Sequence, residues 1–173
     1  MSNVFVNIRR SLSILCHRSK TPHCMCPISK CPRVTVFMDA TEGSAQKCAD
    51  AVNAFFTGYK VNLRIFALNA QKKSTLPAIS GATMLLRRDL RWFGRPKRTR
   101  RHPSVDGKED LFINLCPQAN FTAHYCALCS KAHFKVGRYP TKNGLYDIEV
   151  SNTDNYLQSQ IFAQISSIIA SIV

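Results

Sequence analysis

The chain has 173 residues and a formal net charge of +14, a size that fits one domain with extensions. An extracellular disulfide scaffold is not expected despite the eight cysteines, since no secretory segment with a cleavage site opens the chain. No apolar run is long enough to span a bilayer, so a transmembrane helix is not expected.

The excess positive charge is confined to two segments. Residues 1–33 carry six Lys and Arg and no acid, and residues 69–132 carry twelve against four acids. Residues 34–68 and 133–173 are each balanced, with three charges of either sign. A neutral core with basic extensions favours a polyanionic partner such as nucleic acid. The alternative, a charge that serves solubility alone, would more naturally be spread over the core surface.

Residues 1–32 are interpreted as a basic N-terminal arm. The first twenty residues are rich in Ser and Arg, lack acids and place Val4, Ile8, Leu12 and Leu15 on one helical face. This composition is typical of a mitochondrial targeting segment and predicts a location in the mitochondrial matrix. An arm that lies on RNA through Arg9 and Arg10 is a second interpretation, and the two are compatible.

A strand, a helix and a second strand follow in residues 33–68. Val34, Val36 and Met38 alternate in a β-branched run, which indicates a buried strand. Apolar residues then recur at three- and four-residue steps from 45 to 56 and predict an amphipathic helix. Residues 60–68 supply the second strand.

The most specific functional signal is a basic run with aromatic residues between the arginines. Cationic side chains neutralise phosphates, and an aromatic ring can stack on an unpaired base. Gly94 and Pro96 are expected to keep the run extended so that it follows a groove. A solvated charge run and a nuclear localisation signal are the alternatives. The predicted RNA-binding residues of this run are Arg87, Arg88, Arg91, Trp92, Arg95, Lys97, Arg98, Arg100 and Arg101.

Two groups of cysteines are candidate metal ligands. Cys126 and Cys129 form a C-x-x-C motif, which occurs in zinc sites and in redox sites. Cys24 and Cys26 lie in a proline-rich loop and are the other predicted ligands of a Zn site, with an iron–sulfur cluster as the alternative metal group. The alternative is that these thiols are simply packed or exposed.

The last third of the sequence predicts a hairpin and a closing helix. Residues 133–139 alternate, Asn143 and Gly144 give a two-residue turn signal, and residues 145–150 form the return strand. Apolar residues at helical spacing follow from 157 to 172. The order strand, helix, strand, insertion, hairpin, helix predicts a two-layer α/β sandwich at 33–173, interrupted by a basic insertion at about 69–132.

This pattern resembles a known family. The similarity lies in VTVFMD at 34–39, Gly43 and Ser44 opening a helix, the Asn143-Gly144 turn, YDIEV at 146–150 and the closing helix. It resembles the thioredoxin-like domain shared by mitochondrial ribosomal proteins (large-subunit protein forty-three and small-subunit protein twenty-five) and a small accessory subunit of respiratory complex I. The resemblance implies a thioredoxin-like sandwich and a structural, non-enzymatic role.

The expected function is therefore that of a structural component of the mitochondrial ribosome. The basic extensions would bind rRNA, the core would bind neighbouring ribosomal proteins, and no small-molecule substrate is expected. An accessory subunit of complex I is the alternative, in which the insertion would contact acidic subunits or cardiolipin. A thiol- or metal-dependent oxidoreductase is not favoured, because no nucleophile–base pair has a recognisable context and no C-x-x-C begins the first helix of the core.

Overall fold

The computed structural model describes residues 3–22, 24–71, 76–97, 109–141, 144–150 and 155–172. Its strands are β1 (Arg33–Asp39), β2 (Asn62–Asn69), β3 (Thr83–Leu86), β4 (Leu111–Asn114), β5 (Phe134–Gly137) and β6 (Ile148–Glu149). Within the described residues they form one sheet in the order β3-β2-β1-β4-β5-β6, and every pair is parallel. The predicted α/β class is confirmed.

Helices cover both faces of this sheet. They are α1 (Asn3–His17), α2 (Ala45–Thr57), α3 (Phe121–Cys129) and α4 (Gln158–Ala170). The pair α2 and α4 packs on one face, whereas α3 packs on the other and α1 packs against α3. The predicted two-layer arrangement holds for the sheet with α2 and α4. On the second face of the sheet, α1 and α3 form an additional layer.

The central strand β1 is buried on both sides because both faces are covered. Val34 and Val36 enter the core formed with α2 and α4. Phe37 points into the opposite core, where its ring centroid lies 5.2 Å from that of Phe66 and 5.3 Å from that of Phe112. The predicted strand, helix and strand of residues 33–68 are confirmed.

The segment predicted to be an insertion is part of the sheet. Residues 69–132 contain β3, β4 and α3, and β4 pairs with β1 in the middle of the sheet. Only four residues form β4, all of them buried. A run this short gave little period-2 signal, so the sequence did not indicate a central position for it.

The predicted hairpin is wrong. Strands β5 and β6 pair in parallel, with Val136 opposite Ile148. The two strands are shorter than expected, so residues 138–147 separate them, far more than the two-residue turn of a tight hairpin. Asp147 fixes the crossover, since its carboxylate accepts from the Lys135 N–H at 2.8 Å and its own N–H donates to the Lys135 carbonyl at 2.8 Å. Asn143, in the predicted turn, lies outside the described residues.

A buried polar cluster connects α4 to the carboxyl end of β1. The Gln158 side-chain amide accepts from the Asp39 N–H at 3.0 Å and donates to the Asp39 carbonyl at 2.9 Å. The Arg138 guanidinium donates to the Glu42 carboxylate at 3.0 Å and to the Tyr156 carbonyl at 2.8 Å. These bonds hold the β1–α2 connection in place at the edge of the sheet where the candidate site lies.

Candidate nucleic-acid interface

The first helix and the loop after β3 lie side by side although they are far apart in the chain. Arg10 Nε donates to the Phe93 carbonyl at 3.0 Å, across 83 sequence positions. The Arg10 guanidinium also lies 4.5 Å from the centroid of the Phe121 ring on α3. These contacts bring the basic residues of the N-terminal arm next to those of the run that begins at Arg87.

An open groove of about 390 Å³ lies between α1 and this loop. It combines arginines from both segments with an indole ring that is 42% exposed, which is high for tryptophan. The groove is lined by Arg9, Leu12, Ser13, Cys16, Arg91, Trp92, Phe93 and Arg95.

The loop is held by side-chain bonds to its own backbone. The Arg87 guanidinium donates to the carbonyls of Arg91 and Trp92 at 3.0 and 3.1 Å. Lys97 Nζ donates to the Arg88 carbonyl at 2.7 Å. Arg87 and Lys97 therefore hold the loop in shape through bonds that use only some of their N–H groups.

Residues 91–95 form a tight turn, and the predicted extended run is wrong for them. The Gly94 N–H donates to the Arg91 carbonyl at 2.9 Å, and the Arg91 N–H donates to the Arg95 carbonyl at 2.7 Å. Gly94 has a φ of +98°, which a residue without Cβ adopts readily. A Cβ there would lie 3.0 Å from the Phe121 ring, so glycine also allows the turn to approach α3.

The structure brings six of the predicted RNA-binding residues together, and we call this set the basic-aromatic surface. Arg88 and Lys97 are exposed and do not line the groove. Arg95 is half buried, with its guanidinium 5.8 Å from the centroid of the Tyr125 ring. Arg98, Arg100 and Arg101 lie outside the described residues. The basic-aromatic surface comprises Arg9, Arg10, Arg87, Arg91, Trp92 and Arg95.

A second cavity, here called the crevice, adjoins this surface at the carboxyl edge of the sheet. Its volume is about 540 Å³. Asp39 ends β1, Ala70 follows β2 and Arg87 follows β3, and all three line the crevice. The remaining lining residues come from α1, the turn at 90–94, the connection that leads into α3 and the first two residues of α3.

The crevice lies where the connections of the sheet diverge. The chain leaves β1 for α2 on one face and leaves the neighbouring β4 for α3 on the other. In open parallel sheets, ligands bind outside the carboxyl ends of the strands at such a switch point.

The candidate metal ligands are not assembled into a four-residue site. Cys126 is buried in α3, and burial raises the pKa of its thiol well above the ordinary value. Burial also raises the pKa of Cys129. Cys24 is exposed, and Cys26 has its Sγ 3.2 Å from that of Cys31. Among the described residues, no three His, Cys, Asp or Glu side chains are grouped as metal ligands would be.

One comparison with known proteins identifies the family. A model described as a family of unknown function, DUF6913, matches residues 11–165. The chain belongs to DUF6913. The matched residues begin within α1 and end within α4, so they include the loop after β3 and the connection into α3. No curated protein and no solved structure matches the chain.

The crevice of this DUF6913 chain was not predicted from its sequence. If residues 69–132 were an insertion, β4 would not lie beside β1, and the connections that leave these two strands would not form a switch point. Asp39 at a strand end and Asn120, which caps α3 by accepting from the Ala123 N–H, were the available signals.

Within the described ranges, none of the helices is both long and apolar enough to cross a membrane.

Proposed function

We propose that this protein binds RNA and that the basic-aromatic surface holds an unpaired strand. The observation that carries the proposal is the convergence of two basic segments around an exposed tryptophan. Arg9 and Arg10 come from α1, whereas Arg91 and Trp92 come from a loop held against it by the bond from Arg10 to Phe93.

The residue types of this surface fit an unpaired strand better than a duplex. Arginines neutralise phosphates regardless of sequence, and a base stacks on an aromatic ring only when it is free of a partner strand. The Trp92 ring meets Phe93 edge-on at 5.3 Å and keeps much of its own surface exposed. A charge run that served only solubility would not explain an exposed indole between arginines.

A narrower form of the proposal names the particle. We propose that the RNA is rRNA and that the protein is a non-catalytic component of a mitochondrial ribosome. Support for this form comes from the sequence resemblance and from the basic composition of the N-terminal arm. The resemblance included a hairpin, whereas β5 and β6 pair in parallel. The broader proposal of RNA binding does not use the resemblance and depends on the basic-aromatic surface alone.

The salt dependence of RNA binding tests the broader proposal. We expect the triple variant Arg9→Gln, Arg91→Gln, Arg95→Gln to bind an unstructured oligoribonucleotide more weakly. Each lost phosphate contact should lower the slope of log affinity against log salt by about 0.7, so three should lower it by about 2. Fluorescence anisotropy at a series of salt concentrations measures both quantities.

A matched control removes the same charge elsewhere. Lys30, Lys47 and Lys60 are exposed and do not line the groove, so their triple Gln variant should keep most of the slope. Equal losses in the two triple variants would show that net charge alone attracts RNA, and the surface would then have no special role.

A further inference from the structure

The crevice has the position and size of a ligand site, and the proposed function does not account for it. Its volume of about 540 Å³ lies in the range of about 300–1,000 Å³ that small-molecule sites occupy. It opens beside the basic-aromatic surface, with which it shares Arg10, Arg87 and Trp92. A strand bound on that surface therefore has the crevice within reach of one of its ends.

Two guanidinium groups give the crevice a positive character. Arg10 and Arg87 each donate to loop carbonyls, which fixes their position, and each retains further N–H groups because a guanidinium carries five. Among the residues that line the crevice, Asp39 is the single acid. Its carboxylate accepts from the N–H and the hydroxyl of Thr41 at 2.8 and 2.6 Å, which stabilises it within its own turn.

The other sides of the crevice supply aromatic surface and backbone donors. Trp92 and Phe93 line one part of it. Phe121 and Thr122 line another as the first residues of α3, where the backbone N–H groups have no partner within the helix. Guanidinium groups and such N–H groups bind anions, whereas an indole ring stacks on a base.

We propose that the crevice binds a nucleotide carrying a terminal phosphomonoester, with the phosphate beside Arg10 and Arg87 and the base beside Trp92. A terminal phosphomonoester carries nearly two negative charges at neutral pH, whereas an internal diester carries one. Two arginines therefore favour the terminal group. The ligand is either the phosphorylated end of the strand held by the basic-aromatic surface, which rests on the proposed function, or a free nucleoside monophosphate.

Oligoribonucleotides that differ only at their ends test this assignment on the full chain. The probes are one unstructured sequence with hydroxyl ends, with a 5′-phosphate or with a 3′-phosphate, and the four nucleoside 5′-monophosphates. We expect one phosphorylated end to bind about tenfold more tightly than the hydroxyl form, the effect of one charge-assisted contact. Direct binding of a monophosphate by calorimetry would instead assign the crevice to the free nucleotide.

A variant pair at Ala119 links any preference to the crevice. Ala119 lines the crevice and is exposed, so its replacement disturbs no core packing. Ala119→Glu places a carboxylate near the phosphate and should abolish the preference for a phosphorylated end, whereas Ala119→Gln adds similar volume without charge and should retain it. A preference that both variants retain would overturn the assignment to the crevice.

The remaining outcomes separate this inference from the proposed function. Equal binding of all three oligonucleotides, with no binding of monophosphates, overturns the phosphate site and leaves RNA binding by the surface intact. Failure of every oligonucleotide to bind, with calorimetric binding of a monophosphate, overturns the RNA proposal and supports the crevice. Failure of all probes overturns both.

Discussion

Gly94 is the residue on which the shape of the basic-aromatic surface depends most directly. Its φ of +98° turns the loop back after Trp92, and its lack of a side chain lets the loop approach Phe121. The carbonyl of Gly94 also accepts from the Thr122 hydroxyl at 2.7 Å, which joins the turn to α3. An exposed tryptophan is thereby presented next to α1.

Replacing Gly94 by alanine should destabilise the protein. The left-handed backbone costs about 1–2 kcal/mol for a residue with a Cβ, and the contact with Phe121 adds to that cost. Urea unfolding measures the change. Gly43→Ala is the matched control, because Gly43 has no positive φ and no atom within 4 Å of the added Cβ, so its effect should stay within about 0.5 kcal/mol. Equal effects at the two positions would contradict this explanation.

The helices show which features sequence periodicity can predict. The regular spacing in α2 and α4 correctly indicated amphipathic helices, since each packs its apolar face on the sheet. The same spacing places Val4, Ile8, Leu12 and Leu15 on one face of α1, yet these side chains are 49–78% exposed. The domain instead contacts the face of Arg10 and Ser13. Periodicity indicates that a helix has an apolar face. Which face of α1 packs depends on the surface of α3 that it contacts.

The cluster around Arg138 joins the chain before α4 to the β1–α2 connection. Arg138 is buried and bonds to Glu42 in the β1–α2 connection, to the Leu115 carbonyl after β4 and to the Tyr156 carbonyl before α4. Arg138→Met would remove the donor to the Leu115 and Tyr156 carbonyls and the cation beside Glu42, so we expect a loss of about 3–5 kcal/mol. Arg33→Met removes an arginine that is mostly exposed and pairs with Asp110, and it should cost far less. Thermal or urea unfolding of both variants tests this; similar losses would contradict it.

For the whole molecule, local elements were predictable and their pairing was not. The two strands and the helix of residues 33–68 followed from runs of five or more patterned residues. Parallel pairing joins residues far apart in the chain, as between β1 and β4, and a four-residue strand carries no signal of its neighbours. For the same reason, the basic residues of the site could be predicted from the sequence. The crevice could not, because its position depends on the order of the strands in the sheet.

The charge distribution acts on the scale of the whole molecule as well. The arm and the loop after β3 were predicted as two separate basic extensions, and the fold places them on one side, next to the switch point of the sheet. Concentrated charge of this kind attracts a polyanion from a distance, and Trp92 then distinguishes an unpaired strand from other polyanions.

Trp92 provides the most direct measurement, because it is the single tryptophan of the chain. Its emission is recorded while an unstructured oligoribonucleotide is added, and anisotropy of a labelled copy of the same RNA gives the extent of binding. If RNA lies on the basic-aromatic surface, the emission should be quenched in step with binding, and inorganic polyphosphate, which has no bases, should produce much less quenching. Full binding by anisotropy with unchanged Trp92 emission would contradict the account.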